Sequence, residues 1–89
     1  HYQAISQPEL LSRIDELYVQ NGLKKFMTDV SQVSDGSVTA TLKEAPFDLC
    51  LSISLNLWQT YHVKVLSFQA TPSKIQGTAD VVVKYGLVG

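Results

Sequence analysis

The sequence predicts an α+β fold: a permuted ferredoxin-like two-layer sandwich of order αββαββ, with a four-stranded antiparallel sheet carrying two helices on one face. Three observations lead there. A helical apolar stripe is followed by two alternating segments, this succession occurs twice, and turn chemistry separates the members of each alternating pair. At 89 residues the chain has room for a single domain, 1–89, built from two αββ repeats at about 6–43 and 46–86.

In the first repeat, Leu10, Leu11, Ile14, Leu17 and Tyr18 recur at three- and four-residue spacing, which puts them on one face of a helix running from Ser6 to Asn21. Ser6 with Glu9 reads as a capping box, and Pro8 is tolerated in the first turn. Gly22 suits the left-handed residue that closes a helix, with Leu23 as the apolar contact sealing that end. A strand is expected over Lys24 to Val33. Asp35-Gly36 then leads into Ser37 to Leu42, where Val38, Ala40 and Leu42 alternate with Ser37, Thr39 and Thr41, the pattern of a hairpin.

In the second repeat, Val63 to Ala70 and Thr78 to Tyr85 form the strands, with Ala79, Val81, Val83 and Tyr85 on one face and Pro72, Ser73, Lys74 and Gly77 in the connection. The stretch from Pro46 to His62 fits two periods. Leu49, Leu51, Ile53, Leu55 and Leu57 alternate as in a strand, whereas Phe47, Cys50, Leu51, Leu55, Trp58 and Tyr61 or His62 follow a helical stripe. Its length favours a helix, and so does the internal match: Leu10 to Gly22 and Cys50 to His62 have equal spacing and are each followed by Leu or Val, a lysine and a strand. In the assembled sheet the second and fourth strands take the centre, and both edge strands carry lysines.

Ala45, Pro46, Phe47 and Asp48, then Leu55, Trp58, the run Tyr61 to Val65, Gly77 and the alternating valines together resemble the end of type II secretion protein M. The family joins a helix of this kind to its last hairpin and places an earlier helix before it, for which Leu10 to Leu23 is the counterpart. His62 stands where that family commonly has glycine, a departure that bears on the turn because non-glycine residues seldom adopt positive φ. The resemblance implies a non-enzymatic scaffold domain of the secretion system's inner-membrane platform. It would lie at the periplasmic face, form a homodimer and pair with the similarly folded periplasmic domain of protein L. It also implies a membrane-anchoring N-terminal helix outside this stretch. The O component of the type IV pilus alignment subcomplex shares the architecture and is the alternative reading; a small-molecule-binding regulatory ferredoxin-like domain is another, though its usual glycine-rich first turn is absent.

Composition agrees with a packed globular domain. Hydrophobic residues make up 45% and charged residues 17%, and the net charge is -1. The only basic doublet, Lys24-Lys25, is too small for the phosphate contacts that nucleic-acid affinity requires. No catalytic set is expected. The histidines are His1 and His62, the single arginine is Arg13 in mid-helix, Ser52 and Ser54 lie on a helix without a paired base, and Cys50 is the sole cysteine. Asp29, Asp35 and Asp48 are dispersed without metal-loop spacing, so no metal and no cofactor are expected.

The candidate binding residues lie on the second helix. If Phe47, Cys50, Leu51, Leu55 and Trp58 face the sheet, then Leu49, Ile53 and Leu57 form a second apolar ridge at four-residue spacing. That ridge either packs against the first helix or meets a partner. The expectation adopted is the partner surface, in the homodimer or against a protein L-like domain.

Overall fold

The computed structural model describes residues 5–87, and its elements succeed one another as αββαββ: α1 Gln7–Gln20, β1 Met27–Gln32, β2 Val38–Pro46, α2 Phe47–Tyr61, β3 Val63–Pro72 and β4 Thr78–Leu87. His1 lies outside the described residues. The ends of α1 are set locally. The Ser6 N–H and hydroxyl both donate to one Glu9 carboxylate oxygen, at 3.2 and 2.9 Å, and the Glu9 N–H returns to the Ser6 carbonyl at 3.0 Å. At the other end Gly22, at φ +73°, lets its own N–H reach the Val19 carbonyl and the Leu23 N–H reach that of Tyr18. This Schellman closure buries Leu23 completely.

The first strand starts later than the sequence implies. Lys24–Phe26 forms a short 3₁₀ turn, the Phe26 N–H bonding the Leu23 carbonyl, and Lys24 pairs with Asp15 of α1. Those two bonds hold the chain against the helix end, so extended pairing begins only at Met27. The turn that follows is as expected: Gly36, at φ +90°, bonds back to the Val33 carbonyl, and the Asp35 carboxylate accepts the Ser37 N–H and hydroxyl at 2.9 and 2.6 Å.

All four strands pair antiparallel in the order β1-β2-β4-β3, with β2 and β4 at the centre. The seam between the repeats runs from Val38 opposite Tyr85 to Pro46 opposite Thr78. A bulge interrupts it after Leu42, where Glu44 sits at φ 53° with its N–H held at 3.0 Å by the Asp80 carboxylate. One face of these central strands, Val38, Ala40, Leu42, Val81, Val83 and Tyr85, is buried in a single core with Leu10, Ile14 and Tyr18 of α1 and Cys50, Ile53 and Leu57 of α2. The opposite face exposes Asp80 and Val82 and leaves Thr39 and Thr41 partly open. Two helices over one sheet face, with the other face to solvent, make the two-layer α+β sandwich.

Candidate functional site

The second helix is where sequence and structure part. Ile53 is 2% exposed and Leu57 0%, so two of the three residues of the expected partner ridge belong to the domain core, and Leu49 is partly buried against it. The residues expected to face the sheet are turned outward instead: Leu51, Leu55 and Trp58 are 45%, 56% and 44% exposed. Cys50 faces inward as expected, and Phe47 packs edge-on against Phe68 of β3 at 5.9 Å between ring centres.

A polar group in the core explains the phase. Tyr18 and Tyr85 meet hydroxyl to hydroxyl at 2.7 Å, fully buried, and Ser54 approaches Tyr85 at 3.4 Å while donating to the Cys50 carbonyl at 3.0 Å. A buried hydroxyl pair demands further polar company. Turning α2 so that Ser54 and the small Cys50 lie over Tyr85 meets that demand. The other phase would bring Leu51, Leu55 and Trp58 over the same spot, adding volume and removing the polar neighbour.

Burial pushes both tyrosine hydroxyls well above the ordinary tyrosine range and raises the Cys50 thiol as well. These groups are thereby kept protonated, which suits a structural joint and not nucleophilic chemistry. Elsewhere Arg13 is flanked by Glu9 and Glu16 at 3.8 and 3.5 Å along α1. No group of three His, Cys, Asp or Glu side chains stands close enough to hold a metal among the described residues.

Outside the core, Leu51, Leu55 and Trp58 form one apolar strip on α2 with no acid or base among them. His62 continues the strip. It closes the helix in the left-handed conformation, at φ 55°, and its ring stacks on Trp58 at 4.7 Å with 16° between planes. The positive φ at this helix end is thus met by histidine, a residue that tolerates it better than branched ones. Beside the strip an open groove of about 610 Å³ runs between α2 and β3, lined by Ser54, Leu55, Trp58, Val63, Lys64 and Val65. β3 is the outer strand on that side of the sheet. Sequence reasoning placed the partner ridge on the side of α2 that is buried; the polar Ser54, set among apolar neighbours, was the signal that locates that side.

No protein-family model, curated protein or solved structure matches the chain. No helix among the described residues is long and apolar enough to cross a membrane.

Proposed function

We propose that this chain is a non-enzymatic assembly domain, self-associating and pairing with a protein L-like periplasmic domain at the periplasmic face of a bacterial inner membrane, as its resemblance to type II secretion protein M suggests. One observation carries the binding part of this reading: an uncharged strip of Leu51, Leu55 and Trp58 remains outside a core that is already complete without it. An exposed tryptophan flanked by leucines is the composition of an interface centre, and it costs solubility unless something covers it. The resemblance supplies the secretion context, since it rests on the residues that form α2 and the last hairpin.

A second reading, a regulatory domain that binds a small molecule, draws on the apolar groove beside Trp58. The two separate in one pair of measurements. Isothermal titration of the chain with protein L-like and pilus-type periplasmic domains is expected to give saturable heats with the former, reduced by Leu55→Asp. Native mass spectrometry of the purified chain is expected to show no bound metal or metabolite on monomer or dimer. A stoichiometric bound metabolite together with no heat of association would replace the assembly reading with the regulatory one, and binding only to the pilus-type domain would move the protein to that system.

A further inference from the structure

We infer that the outward strip of α2 is a homodimer seam: a second copy of the chain docks α2 against α2, antiparallel about a two-fold axis near Leu55. The inference rests on the assembly reading and assigns the surface and partner of its self-association. Its first support is spacing. Leu51, Leu55, Trp58 and His62 succeed one another at four, three and four residues, which is the alternation of core positions in paired helices. These residues point away from the buried Ile53 and Leu57, so the seam is presented outward from a helix already fixed to its own core.

The second support is charge. Within Phe47–Tyr61 the only ionisable acid or base among Asp, Glu, Lys and Arg is Asp48, in the first turn. The positions flanking the strip, Ser52 and Gln59, are neutral, so nothing repels an identical helix and nothing selects a charged foreign one. An antiparallel crossing at Leu55 sets Leu51 of each copy opposite Trp58 of the other, pairing a smaller side chain with a larger one. Helical rise then carries Asp48 of one copy to the end where Lys64 of the other lines the groove. The single acid and the groove's single base complement each other in that arrangement, and the helix dipoles oppose favourably. A parallel crossing would place like ends together.

The third support is area. Leu51, Leu55 and Trp58 leave on the order of 300 Å² of apolar surface uncovered, the size of the largest apolar patch on an ordinary monomer. With the partly exposed Val65 and the polar rim of the groove, each copy contributes roughly 500 Å², which places the dimer among the small, weakly associating interfaces.

Sedimentation equilibrium of the full chain tests the inference. The unaltered protein is expected to reach a monomer–dimer equilibrium at micromolar concentration, and Leu55→Asp and Trp58→Ala each to weaken it by about tenfold or more. Val19→Asp and Leu66→Asp, at exposed apolar residues off the strip, serve as controls and are expected to leave it unchanged. Asp48→Lys and Lys64→Asp should each weaken the dimer, and the two together should restore part of it. In a Cys50→Ala background, Leu55→Cys is expected to form a disulfide-linked dimer on mild oxidation, because that residue faces its own copy across the axis. A dimer that survives Leu55→Asp, or the absence of any Leu55→Cys crosslink, overturns the seam while leaving the assembly reading standing. A strictly monomeric chain overturns the seam too, and titration with the protein L-like domain then decides the assembly reading by itself.

Discussion

The two helices occupy equivalent places in the two repeats and treat their outer surfaces in opposite ways. α1 buries Leu10, Ile14 and Tyr18 and shows solvent Glu9, Arg13, Asp15 and Glu16, the last four tied into ion pairs along the helix and to Lys24. α2 buries Cys50, Ile53 and Leu57 to the same extent and shows Leu51, Leu55 and Trp58. The inner faces are alike because one sheet imposes one requirement on both. The outer faces are free of that requirement, so a difference there reports on what each surface meets in use. The ends differ as well: α1 starts on a capping box, whereas α2 starts directly from the strand residue Pro46 without a side-chain cap.

The sharpest way to break this comparison is to place a charge on either side of α2. Ile53→Asp is expected to cost about 4 kcal/mol or more and to unfold the domain, since an unpaired carboxylate would sit in the core. Leu55→Asp, two residues on, is expected to change stability by less than about 0.5 kcal/mol. Urea unfolding followed by circular dichroism measures both. Equal losses at the two positions would mean that the strip is part of the fold.

Next in size is the hydroxyl joint that sets the phase of α2. Tyr85→Phe leaves the buried Tyr18 hydroxyl without its 2.7 Å partner and is expected to cost about 1–3 kcal/mol. Tyr18→Phe is expected to cost less, because Tyr85 retains Ser54. The double replacement should cost less than the sum, both polar groups having gone together. The same pair governs alkaline behaviour. A group whose folded pKa is raised stabilises fully below its unfolded value, so the pair's contribution should hold up to about the ordinary tyrosine value of 10.0 and fall as pH rises beyond it, after the buried Cys50 thiol has begun its own loss above its ordinary 9.0. The double Phe variant should lose most of that alkaline limb, as read from unfolding midpoints across the range.

The closing residues of the two helices give a smaller contrast. Gly22→Ala puts a Cβ at φ +73°, where nothing crowds it but the backbone is strained, and is expected to cost about 1 kcal/mol. His62→Gly relieves strain of about the same size at φ 55°. It also frees the unfolded chain and loses the stack on Trp58, so the net change is expected to stay within about 0.5 kcal/mol. Thermal melts of the two variants supply the comparison.

The smallest effect lies at the start of α1. Bonds from the Ser6 N–H and hydroxyl hold the Glu9 carboxyl below its ordinary value, and the Ser37 hydroxyl and N–H do the same for Asp35. Depressed carboxylates contribute stability above their unfolded values, 4.5 and 3.8, and that contribution is lost as pH falls through the folded ones. Glu9→Gln should therefore flatten the acid limb of stability slightly and leave the neutral value nearly unchanged.

Element order, sheet order and both turns are legible in the residues because each is specified by local chemistry: the capping box at Ser6, the left-handed Gly22, Asp35-Gly36, and alternation along β2 and β4. The phase of α2 is not legible by the same means. Opposite α1's apolar stripe stand Glu9, Ser12, Arg13 and Glu16, with Val19 the one large apolar residue left well exposed on that helix, so one rotation is clearly favoured. Around α2, Leu49, Cys50, Leu51, Ile53, Leu55, Leu57 and Trp58 cover so wide an arc that two rotations bury comparable area. The choice depends on a hydroxyl pair drawn from α1 and β4, which comes into being only when the repeats meet. The candidate surface inherits that uncertainty, since the side of α2 left outside is whatever the buried joint does not take. The strand boundary near Lys24 shifted for a similar reason, its ion pair with Asp15 being a contact to a helix earlier in the chain.

The central seam has a consequence for how quickly the molecule assembles. Each hairpin, β1 with β2 and β3 with β4, joins neighbours in the chain, whereas β2 and β4 pair Val38 with Tyr85 and cross the whole of α2 and β3 to do so. Closing that long loop must come before its contacts give any return, which makes the seam the slow event and the hairpins the early ones. Replacements along β1 should accordingly speed unfolding with little change in the refolding rate, while truncations of Val81 or Val83, which face Leu42 and Ala40 across the seam, should slow refolding itself.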